Sequence, residues 1–432
     1  MESRAENRFE FVLRRRNTQP HASEGAFPDL RAAKGVEQWE GGDPAPELRA
    51  VSDGPAARAQ RFHATLPGYT PTPLRRLKGL AGALGVAQVY VKDESARFDL
   101  NAFKVLGDGY AMACCLAERL GRSIDDCSLA DLASDEARAR LGEITFITAT
   151  DGNHGRGVAW MARRLGQRAV VYMPKGTAPE RLENVRREGA QAGILDLNYD
   201  GCVHLAAQHA RENGWILTQD TAWDGYEEIP TRIMQGYTTI GREIAAQLAG
   251  MGEDIPTHVL LQAGVGSFAA AMLGYFAALW GEKRPVSVIV EPTAADCMLR
   301  TARANDGRLH FVTGDMPTIM AGLACGEPSS VAWRILDAHA DAFLSIPDSA
   351  AANGMRMLGR PVSGDAAIVS GESGASTAGA LGALMHHASL RDLRDSLGLG
   401  PDARVLLIST EGATDRENYR RIVGRDAPPR SR

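Results

Sequence analysis

The stretch ITFITATDGNHGRGVAW, residues 144–160, joins a strand pattern to a helix pattern through a turn. Residues 144–147 are largely apolar and β-branched, whereas the apolar residues that follow Gly157 recur at helical spacing. Glycines and exposed main-chain N–H groups at such a junction commonly bind an anion. Asp151 lies inside this turn, where a carboxylate disfavours a simple anion. Its presence therefore needs a chemical reason.

The alternation of strand and helix recurs along the chain. Strand patterns occur in two series, first ITFITAT, RAVVYMP, QAGILDL and WILTQD, and then THVLLQAG, VSVIVEP, DAAIVSGESG and RVLLISTEG. This order is typical of open parallel sheets with helices on both faces. We therefore predict an α/β protein of two open-sheet domains with a cleft between them. The first fifty or so residues lack sustained periodicity and are predicted to form an extended arm.

Composition excludes several classes of protein. The 432 residues include 48 Lys and Arg against 53 Asp and Glu, so the chain lacks the basic surface that is typical of nucleic-acid-binding proteins. The first residues contain no apolar signal core, and the longest nearly apolar stretch, residues 269–280, is too short to span a bilayer. We expect a soluble, cytoplasmic protein that binds neither nucleic acid nor membrane.

The six cysteines form neither a disulfide framework nor a metal-binding pattern, and no metal site is predicted. A bridge between Cys297 and Cys325 stays open, because the sequence alone does not give their geometry.

Gly264 begins the motif GVGSFA, which follows a strand pattern, opens a helix pattern and has Glu291 at the end of the next strand. These features satisfy the dinucleotide-binding fingerprint in its G-x-G-x-x-A form, which is a weak signal when it occurs once. More generally, the motif indicates a tight turn whose free N–H groups, at the positive end of a helix, bind a phosphate. A purely structural turn and a nicotinamide site are the alternatives.

Lys104 lies in NAFKVLG, at the start of a helix pattern and between Phe103 and Val105. Partial burial there would lower its pKa and make the neutral amine a nucleophile that can anchor an aldehyde cofactor. Taken alone, Lys104 is better explained as a solvated helix lysine. However, the turns TDGNHG, AGVGS and SGESG, with STEG after the last strand, are predicted at the carboxyl ends of strands, where open α/β sheets bind ligands. Together with Lys104 they predict one site.

These motifs resemble those of the fold-type II pyridoxal-phosphate enzymes, which include threonine and serine dehydratases, cysteine synthase and the tryptophan synthase β chain. Within this group the chain is most similar to the diaminopropionate ammonia-lyases. The resemblance spans residues 57–423 and rests on motifs in the same order: GYTPTPL, VKDES, LNAFKVLG, TDGNHGRGVAW, VYMPKG, LNYD, QDTAW, IPTRIMQGY, HVLLQAGVG, MAGLACGEP, VSGESG and LLISTEG.

The resemblance implies pyridoxal 5'-phosphate as cofactor and a homodimer in which each active site is built mainly from one subunit. It also implies the domain organisation. Residues 57–111 and 237–432 form a large cofactor-binding domain, residues 112–236 form a small mobile α/β domain that closes on the substrate, and residues 1–56 form a partly irregular N-terminal arm.

Residue roles follow from the same resemblance. Lys104 forms the internal aldimine, a Schiff base with the cofactor, and Asn153 hydrogen-bonds the 3-hydroxyl of the pyridine ring. Ser409 or Thr410 contacts the pyridine nitrogen and, as a neutral hydroxyl, leaves that nitrogen unprotonated, which suits elimination. Glu372 of SGESG is also assigned to the cofactor. The cofactor phosphate is bound by Gly264, Val265, Gly266 and Ser267, and the substrate carboxylate by Thr150, Gly152, Asn153 and His154.

Asp151 and Asp220 then acquire a chemical reason. 2,3-Diaminopropionate carries a second amine that is cationic near neutral pH, and the two carboxylates would bind this amine or exchange protons with it, although Asp220 could instead cap a helix. The resemblance implies α,β-elimination from both enantiomers to pyruvate and ammonia. Lys104 would take the α proton of the L form and Asp151 that of the D form.

Three alternatives stay open: a serine or threonine dehydratase, a non-catalytic protein that binds the cofactor, and an NAD-dependent dehydrogenase. The chain also departs from the family pattern at Asp108, where the family tends to have a small residue. This carboxylate either raises the pKa of Lys104 or points to solvent.

Overall fold

A computed structural model describes residues 8–14, 44–362 and 364–427. Within these residues the chain forms the strands β1 (Glu10–Leu13), β2 (Leu74–Arg76), β3 (Gln88–Asp93), β4 (Thr145–Ala149), β5 (Arg168–Met173), β6 (Gln191–Ile194), β7 (Ile216–Leu217), β8 (His258–Gln262), β9 (Val286–Pro292), β10 (Ala342–Ile346) and β11 (Arg404–Ser409).

The helices lie mainly between successive strands. They are α1 (Asp53–His63), α2 (Lys78–Leu84), α3 (Val105–Arg119), α4 (Leu129–Leu132), α5 (Asp135–Leu141), α6 (Asn153–Arg164), α7 (Pro179–Arg187), α8 (Tyr199–Asn213), α9 (Glu228–Gly250), α10 (Ser267–Trp280), α11 (Cys297–Ala304), α12 (Ser330–His339), α13 (Asp348–Gly359), α14 (Ser376–His386), α15 (Arg391–Ser396) and α16 (Arg416–Val423). Short 3-10 helices include Pro46–Val51, Glu94–Asp99 and Ala321–Leu323.

The strands form two sheets, which confirms the predicted fold class. The larger sheet has the order β1-β10-β9-β8-β11-β3-β2, with antiparallel edge strands β1 and β2 and parallel strands between them. The smaller sheet has the order β6-β5-β4-β7 and is parallel throughout. The carboxyl ends of parallel strands lie along one edge of a sheet, so the loops that follow β4, β8 and β11 are the natural place for a ligand.

Both faces of the larger sheet are covered. Along β8, Val259 and Leu261 pack with residues of α9, α10 and α12, whereas Leu260 packs with residues of α13 and α14. Alternate side chains of a strand point to opposite faces, so two separate apolar clusters sandwich this sheet. The resulting rigid support holds the loops at its edge.

Helices α3 and α9 pack tightly against each other because each has a glycine at the crossing. A Cβ atom on Gly236 would lie 2.3 Å from the carbonyl oxygen of Leu106, and one on Gly107 would lie 2.4 Å from the ring of Tyr237. The predicted domain boundaries, after residues 111 and 236, fall inside these two helices. The boundaries themselves stay predictions.

The structure departs from the sequence analysis in three places. The predicted strand in DAAIVSGESG does not form, and β10, in a stretch that we had assigned no regular pattern, pairs with β9 instead. Residues 10–13 of the predicted arm form the edge strand β1 of the chain's own sheet. Leu48 and Val51, also in the predicted arm, are buried in the core. Residues 1–7 and 15–43 of that arm lie outside the described residues.

Candidate active site

The loops after β4, β8 and β11 surround one cavity, which we call the inner cavity. It is lined by Phe103, Tyr199, Gln262, Glu411 and Cys325, and by most of the predicted site residues: Lys104, Thr150, Asp151, Asn153, His154, Asp220, Gly264, Val265, Gly266, Ser267 and Thr410. Residues from both sheets therefore meet at one site, as the sequence predicted. Gly152, Glu372 and Ser409 lie outside this lining.

Lys104 immediately precedes α3, and its Nζ atom forms an ion pair with the Oδ2 atom of Asp220. The ammonium also lies 5.6 Å from the ring of Phe103 and 5.8 Å from that of Tyr237. Burial lowers the pKa of Lys104, but the Asp220 carboxylate outweighs burial, so that pKa is raised above its usual value. Our expectation of a lowered pKa was wrong, because it left out the partner carboxylate.

Asp220 lies three residues beyond β7 and its carboxylate is buried. Burial raises the pKa of Asp220, but the Lys104 ammonium and its hydrogen bond outweigh burial and hold that pKa below its usual value. The structure gives this carboxylate the Lys104 amine as its partner and not a helix N-terminus, since α9 begins only at Glu228. The helix-cap alternative for Asp220 is therefore wrong.

The turn between β8 and α10 contains no ionisable side chain. Gly266 has a φ of +95° and precedes the first residue of α10, and no side chain caps the N-terminus of that helix. A Cβ atom on Gly264 would lie 3.1 Å from the Sγ atom of Cys325 and 3.2 Å from the Cα atom of Leu323. The first N–H groups of the helix lack intrahelical acceptors and can therefore donate to an anion. The turn itself carries no charge that would repel or neutralise that anion. The Ser267 hydroxyl donates to the main-chain oxygen of Asp220.

The turn between β4 and α6 has the same backbone design. Gly152 has a φ of +149°, and no side chain caps the N-terminus of α6. The Oγ1 atom of Thr150 accepts a hydrogen bond of 2.8 Å from the Gly152 N–H and so holds the turn. The Asn153 amide donates a hydrogen bond of 2.6 Å to the Glu411 carboxylate. The sequence analysis assigns this same amide to the 3-hydroxyl of the cofactor.

His154 borders the inner cavity, but its side chain points towards a buried carboxylate. Its Nδ1 atom lies 2.7 Å from the Oδ1 atom of Asp108, and its Nε2 atom bonds the Thr218 carbonyl at 2.8 Å. Burial lowers the pKa of His154, but Asp108 outweighs it and raises that pKa to about 9. Asp108 is fully buried, so the alternative that it points to solvent is wrong. Only the main-chain N–H of His154 is left for a substrate carboxylate.

Asp151 has a partner that sequence analysis missed. Arg181, near the start of α7, donates to its Oδ2 atom at 2.8 Å and to the Thr414 hydroxyl at 3.2 Å. The side chain of Arg181 is 8% exposed, and it lies against Gly152, where a Cβ atom would be 3.3 Å away. Glycine at 152 therefore leaves room for the arginine that holds Asp151. A lone arginine in an amphipathic helix gives no sequence signal for this role.

A second cavity of about 910 Å³, which we call the outer cavity, shares Asp151 and Tyr199 with the inner one. Glu372 lines the outer cavity, and its Oε1 atom accepts from the Asn418 amide. Burial, with repulsion from Glu411, raises the pKa of Glu372 to about 7. The structure does not bring Glu372 to the inner cavity, because the SGESG segment follows no strand.

Ser409 and Thr410 differ in where their hydroxyls point. The Ser409 hydroxyl donates to Ser370 at 2.7 Å and lies outside the inner cavity, whereas Thr410 lines it. Of the two hydroxyls that the sequence left open for the pyridine nitrogen, that of Thr410 has access to the inner cavity. Cys297 and Cys325 are both free and buried, so the bridge left open by the sequence is absent here.

Comparisons with known proteins agree with this geometry. A family model described as pyridoxal-phosphate dependent enzyme matches residues 65–411. The diaminopropionate ammonia-lyase of Salmonella typhimurium is 50% identical over 369 residues, which cover 85% of this chain and 91% of the relative. That of Escherichia coli is 50% identical over 373 residues, which cover 86% and 92%.

The chain belongs to the pyridoxal-phosphate dependent diaminopropionate ammonia-lyase family. The solved holo structure of the Escherichia coli lyase aligns with a TM-score of 0.83 and 44% identity over 96% of this chain and 97% of that one. A threonine deaminase aligns with a TM-score of 0.63 at 22% identity, which supports the shared fold alone. As a member of this family the chain is a pyridoxal-phosphate dependent lyase, and the nicotinamide alternative is excluded.

The inner cavity fits this cofactor. Lys104 provides a primary amine for its aldehyde, and the turn at Gly264 and Gly266 contains no ionisable side chain that would repel a phosphate. The helix N-terminus behind that turn suits a phosphate. Within the described parts of the chain, no cluster of His, Cys, Asp and Glu could hold a metal ion, and no helix has the length and apolar character to cross a membrane.

Proposed function

We propose that this enzyme converts D- and L-2,3-diaminopropionate to pyruvate and ammonia by α,β-elimination. The observation that carries the proposal is a carboxylate, Asp151, inside a turn whose backbone is otherwise built to bind an anion. The relatives at 50% identity bear the name diaminopropionate ammonia-lyase. A substrate with one carboxylate and two amines suits such a turn, because its carboxylate can bind the backbone N–H groups and its second ammonium can bind Asp151.

The cofactor, when bound, withdraws electrons from the substrate α carbon through its conjugated ring. The chain supplies the binding groups. The neutral turn from Gly264 to Ser267 would hold the phosphate through main-chain N–H groups, and the Lys104 amine would hold the aldehyde carbon. Thr410 is the better placed of the two hydroxyls for the ring nitrogen, since Ser409 bonds Ser370 outside the cavity.

The substrate carboxylate would be bound by the N–H groups at the start of α6, beside Thr150 and Asn153. The distal ammonium would be bound by Asp151 and Asp220. Asp220 is ion-paired with Lys104, so arrival of a cationic amine at Asp220 would give that carboxylate a new partner. The lysine can then lose its proton and act as a base, because the interaction that raises its pKa is weakened.

Two bases would serve the two enantiomers. When the carboxylate is fixed at one turn, the α protons of the D and L forms project from opposite faces of the substrate. Lys104 would remove the proton of the L form and Asp151 that of the D form, with Arg181 holding the Asp151 carboxylate in place. The β amine, bound as an ammonium beside the two carboxylates, would depart as neutral ammonia and would need no further proton.

A serine dehydratase is the second candidate, because a structure of the Escherichia coli relative contains D-serine. Serine has a hydroxyl in place of the second amine and gains nothing from two carboxylates. Pyruvate assays with diaminopropionate, serine and threonine on one enzyme preparation distinguish the candidates. We expect the highest kcat/KM with diaminopropionate.

Replacing Lys104 by Ala tests the site. This variant should fold, bind cofactor without the absorbance that borohydride abolishes, and lose at least about 1,000-fold in turnover of the L substrate, since it lacks both the cofactor anchor and the base. Lys92→Ala is unsuitable as a control because Lys92 is paired with buried Glu243. Exposed Lys283→Ala is a suitable one, and it should keep full activity. Retention of most activity by Lys104→Ala would overturn the assignment.

We also propose a cytoplasmic homodimer with each active site built mainly from one subunit, on the strength of the resemblance to the fold-type II enzymes. The smaller sheet and its helices would close on the substrate and exclude water from the reacting carbon. Sedimentation that detects only monomers at working concentrations would contradict the dimer.

A further inference from the structure

Gln262, the last residue of β8, is a buried glutamine that borders the inner cavity beside Thr410. Its Nε2 atom donates to the carbonyl oxygen of Ile408 at 2.9 Å and to the Thr410 hydroxyl oxygen at 3.0 Å. Two more carbonyl oxygens, of Ser373 and Gly374, lie within 3.5 Å of the same nitrogen. The amide nitrogen of Gln262 is therefore surrounded by acceptors.

The orientation of this amide is fixed by its neighbours. Turning it over would place Oε1 against the Ile408 carbonyl, so that two acceptors faced each other without a proton. As oriented, Oε1 is buried and accepts no hydrogen bond from the described residues, which costs free energy. The three main-chain carbonyls around Nε2 enforce the orientation in spite of that cost.

The orientation of the amide decides what the Thr410 hydroxyl can do. A hydroxyl has one proton to donate and two lone pairs that accept. The Thr410 oxygen accepts from Gln262, and an NH2 group cannot accept the hydroxyl proton in return. Among the described residues Gln262 is the one hydrogen-bond partner of that hydroxyl, so its proton is free for an acceptor in the inner cavity.

We propose that Gln262 is a positioning residue, which makes the Thr410 hydroxyl a hydrogen-bond donor to an unprotonated pyridine nitrogen of the cofactor. This inference rests on the proposed function, in which Thr410 faces that nitrogen, and adds what sets the direction of the bond. A protonated ring nitrogen would need Thr410 to accept a second hydrogen bond, which would leave the hydroxyl proton without an acceptor among the described partners of Thr410. The glutamine thereby keeps the ring a weak electron sink.

A purely structural role for Gln262 is the competing explanation. Strands β8 and β11 pair at His258 and Val259, and the glutamine amide then bridges them again at Ile408. Such a bridge would stabilise the sheet without any effect on the ring nitrogen. The two explanations differ in the protonation state of that nitrogen, which is measurable without substrate.

The experiment is ¹⁵N NMR of the holoenzyme loaded with cofactor labelled at the ring nitrogen. We expect the wild-type nitrogen to be unprotonated and hydrogen-bonded. In Gln262→Met nothing keeps the Thr410 hydroxyl a donor to the ring, so the signal should move towards that of a nitrogen without a donor. Gln167→Met, which removes another buried amide that bridges main-chain groups, is the matched control and should leave the signal unchanged.

Cofactor affinity provides the second readout. Thr410→Val and Gln262→Met should each weaken cofactor binding by about 10-fold, since each loses one hydrogen bond to the ring. The double variant should lose no more than the larger single loss, because both act on the same bond. Losses that multiply would indicate a structural bridge and overturn the proposal.

The outcomes separate this inference from the function beneath it. A protonated ring nitrogen in the wild-type enzyme overturns the proposal even if Gln262→Met does not fold. A signal that moves in Thr410→Val but not in Gln262→Met keeps Thr410 at the nitrogen and refutes the role of Gln262. A signal unchanged in Thr410→Val refutes the placement of Thr410, whichever substrate the enzyme turns over.

Discussion

The two strand-to-helix turns that border the inner cavity share a backbone but differ in charge. Each has a glycine in a conformation that other residues rarely adopt, and each precedes a helix that no side chain caps. The turn after β8 has no ionisable side chain, whereas the turn after β4 contains Asp151 and is followed by His154 in the first turn of α6. The backbone of both turns suits an anion, and we propose that the side chains decide which kind. A neutral turn suits a doubly charged phosphate, and an acidic one suits an amino acid with two amines.

Placing a carboxylate in the neutral turn should break this division most severely. Val265 lines the cavity between the two glycines of that turn. In Val265→Asp, a carboxylate about 6 Å from a phosphate of charge near −2 would repel it by several kcal/mol even at an effective dielectric constant of 20. We expect cofactor affinity to fall at least about 1,000-fold, measured by absorbance titration of the apoenzyme.

Val265→Asn separates charge from size in the same turn. It adds a polar side chain of similar volume and should lose less than about 10-fold in cofactor affinity, because no charge repels the phosphate. Equal affinities in the Asp and Asn variants would show that the neutrality of this turn is irrelevant.

His154, which follows the acidic turn, should give the apoenzyme a characteristic dependence of stability on pH. The pKa of His154 is raised to about 9 from an ordinary 6.5. A histidine with a raised pKa stabilises the folded state below pH 6.5, and this stabilisation is lost as the pH rises to about 9. The loss is on the order of 3 kcal/mol. In Asp108→Asn the partner is gone and burial lowers the pKa of His154, so the loss over this pH range should disappear.

Urea unfolding of the apoenzyme at the two ends of this range measures the difference. His63 provides the control, since burial lowers its pKa to about 4 and its bonds go to Thr239 and the Leu106 carbonyl. It is neutral throughout this range, so Thr239→Val should leave the pH difference as in the wild type. An Asp108→Asn enzyme that still loses about 3 kcal/mol would refute the charged state of His154.

Arg181 sharpens the comparison, because it is what keeps a carboxylate in place within an anion-binding turn. Arg181→Met should lower kcat/KM for D-diaminopropionate by about 10-fold, since a misplaced base loses rate. Arg181→Lys should recover part of this loss, because it restores a cation for the Oδ2 atom of Asp151. In an enzyme that already carries Asp151→Asn, adding Arg181→Met should lower kcat/KM for D-diaminopropionate little further. Independent, multiplying losses would mean that Arg181 acts elsewhere.

The sequence was a good guide to whatever depends on local pattern. Short stretches of sequence were enough to predict the strands followed by helices, the glycine turns at strand ends and the lysine at the start of α3. The strand β10 was missed because its five residues form a short pattern, and its pairing with β9 and β1, which are distant in sequence, stabilises it. The SGESG segment was misplaced because five small and polar residues resemble a loop at a strand end whether or not a strand precedes them.

The charge states and ion pairs in the site were harder to predict from the sequence, because they depend on partners that are distant along the chain. The pKa of Lys104 is raised by Asp220, which is 116 residues further along the chain. Arg181 reaches Asp151 from the next helix, and Glu411 takes the Asn153 amide from the other sheet. Burial of Asp108 follows from the close packing of α3 and α6, where a Cβ atom on Gly157 would lie 2.3 Å from its Oδ2 atom. No local pattern reveals such contacts.

The central claim, that Asp151 is the base for one enantiomer, is tested most directly by the Asp151→Asn variant. The substitution keeps the size of the side chain and removes the base. The account predicts that kcat/KM for D-diaminopropionate falls by ~100-fold or more, within the usual contribution of a general base, while kcat/KM for the L form falls much less. Equal losses for the two enantiomers would show that Asp151 only binds the distal amine, and the two-base account would be contradicted.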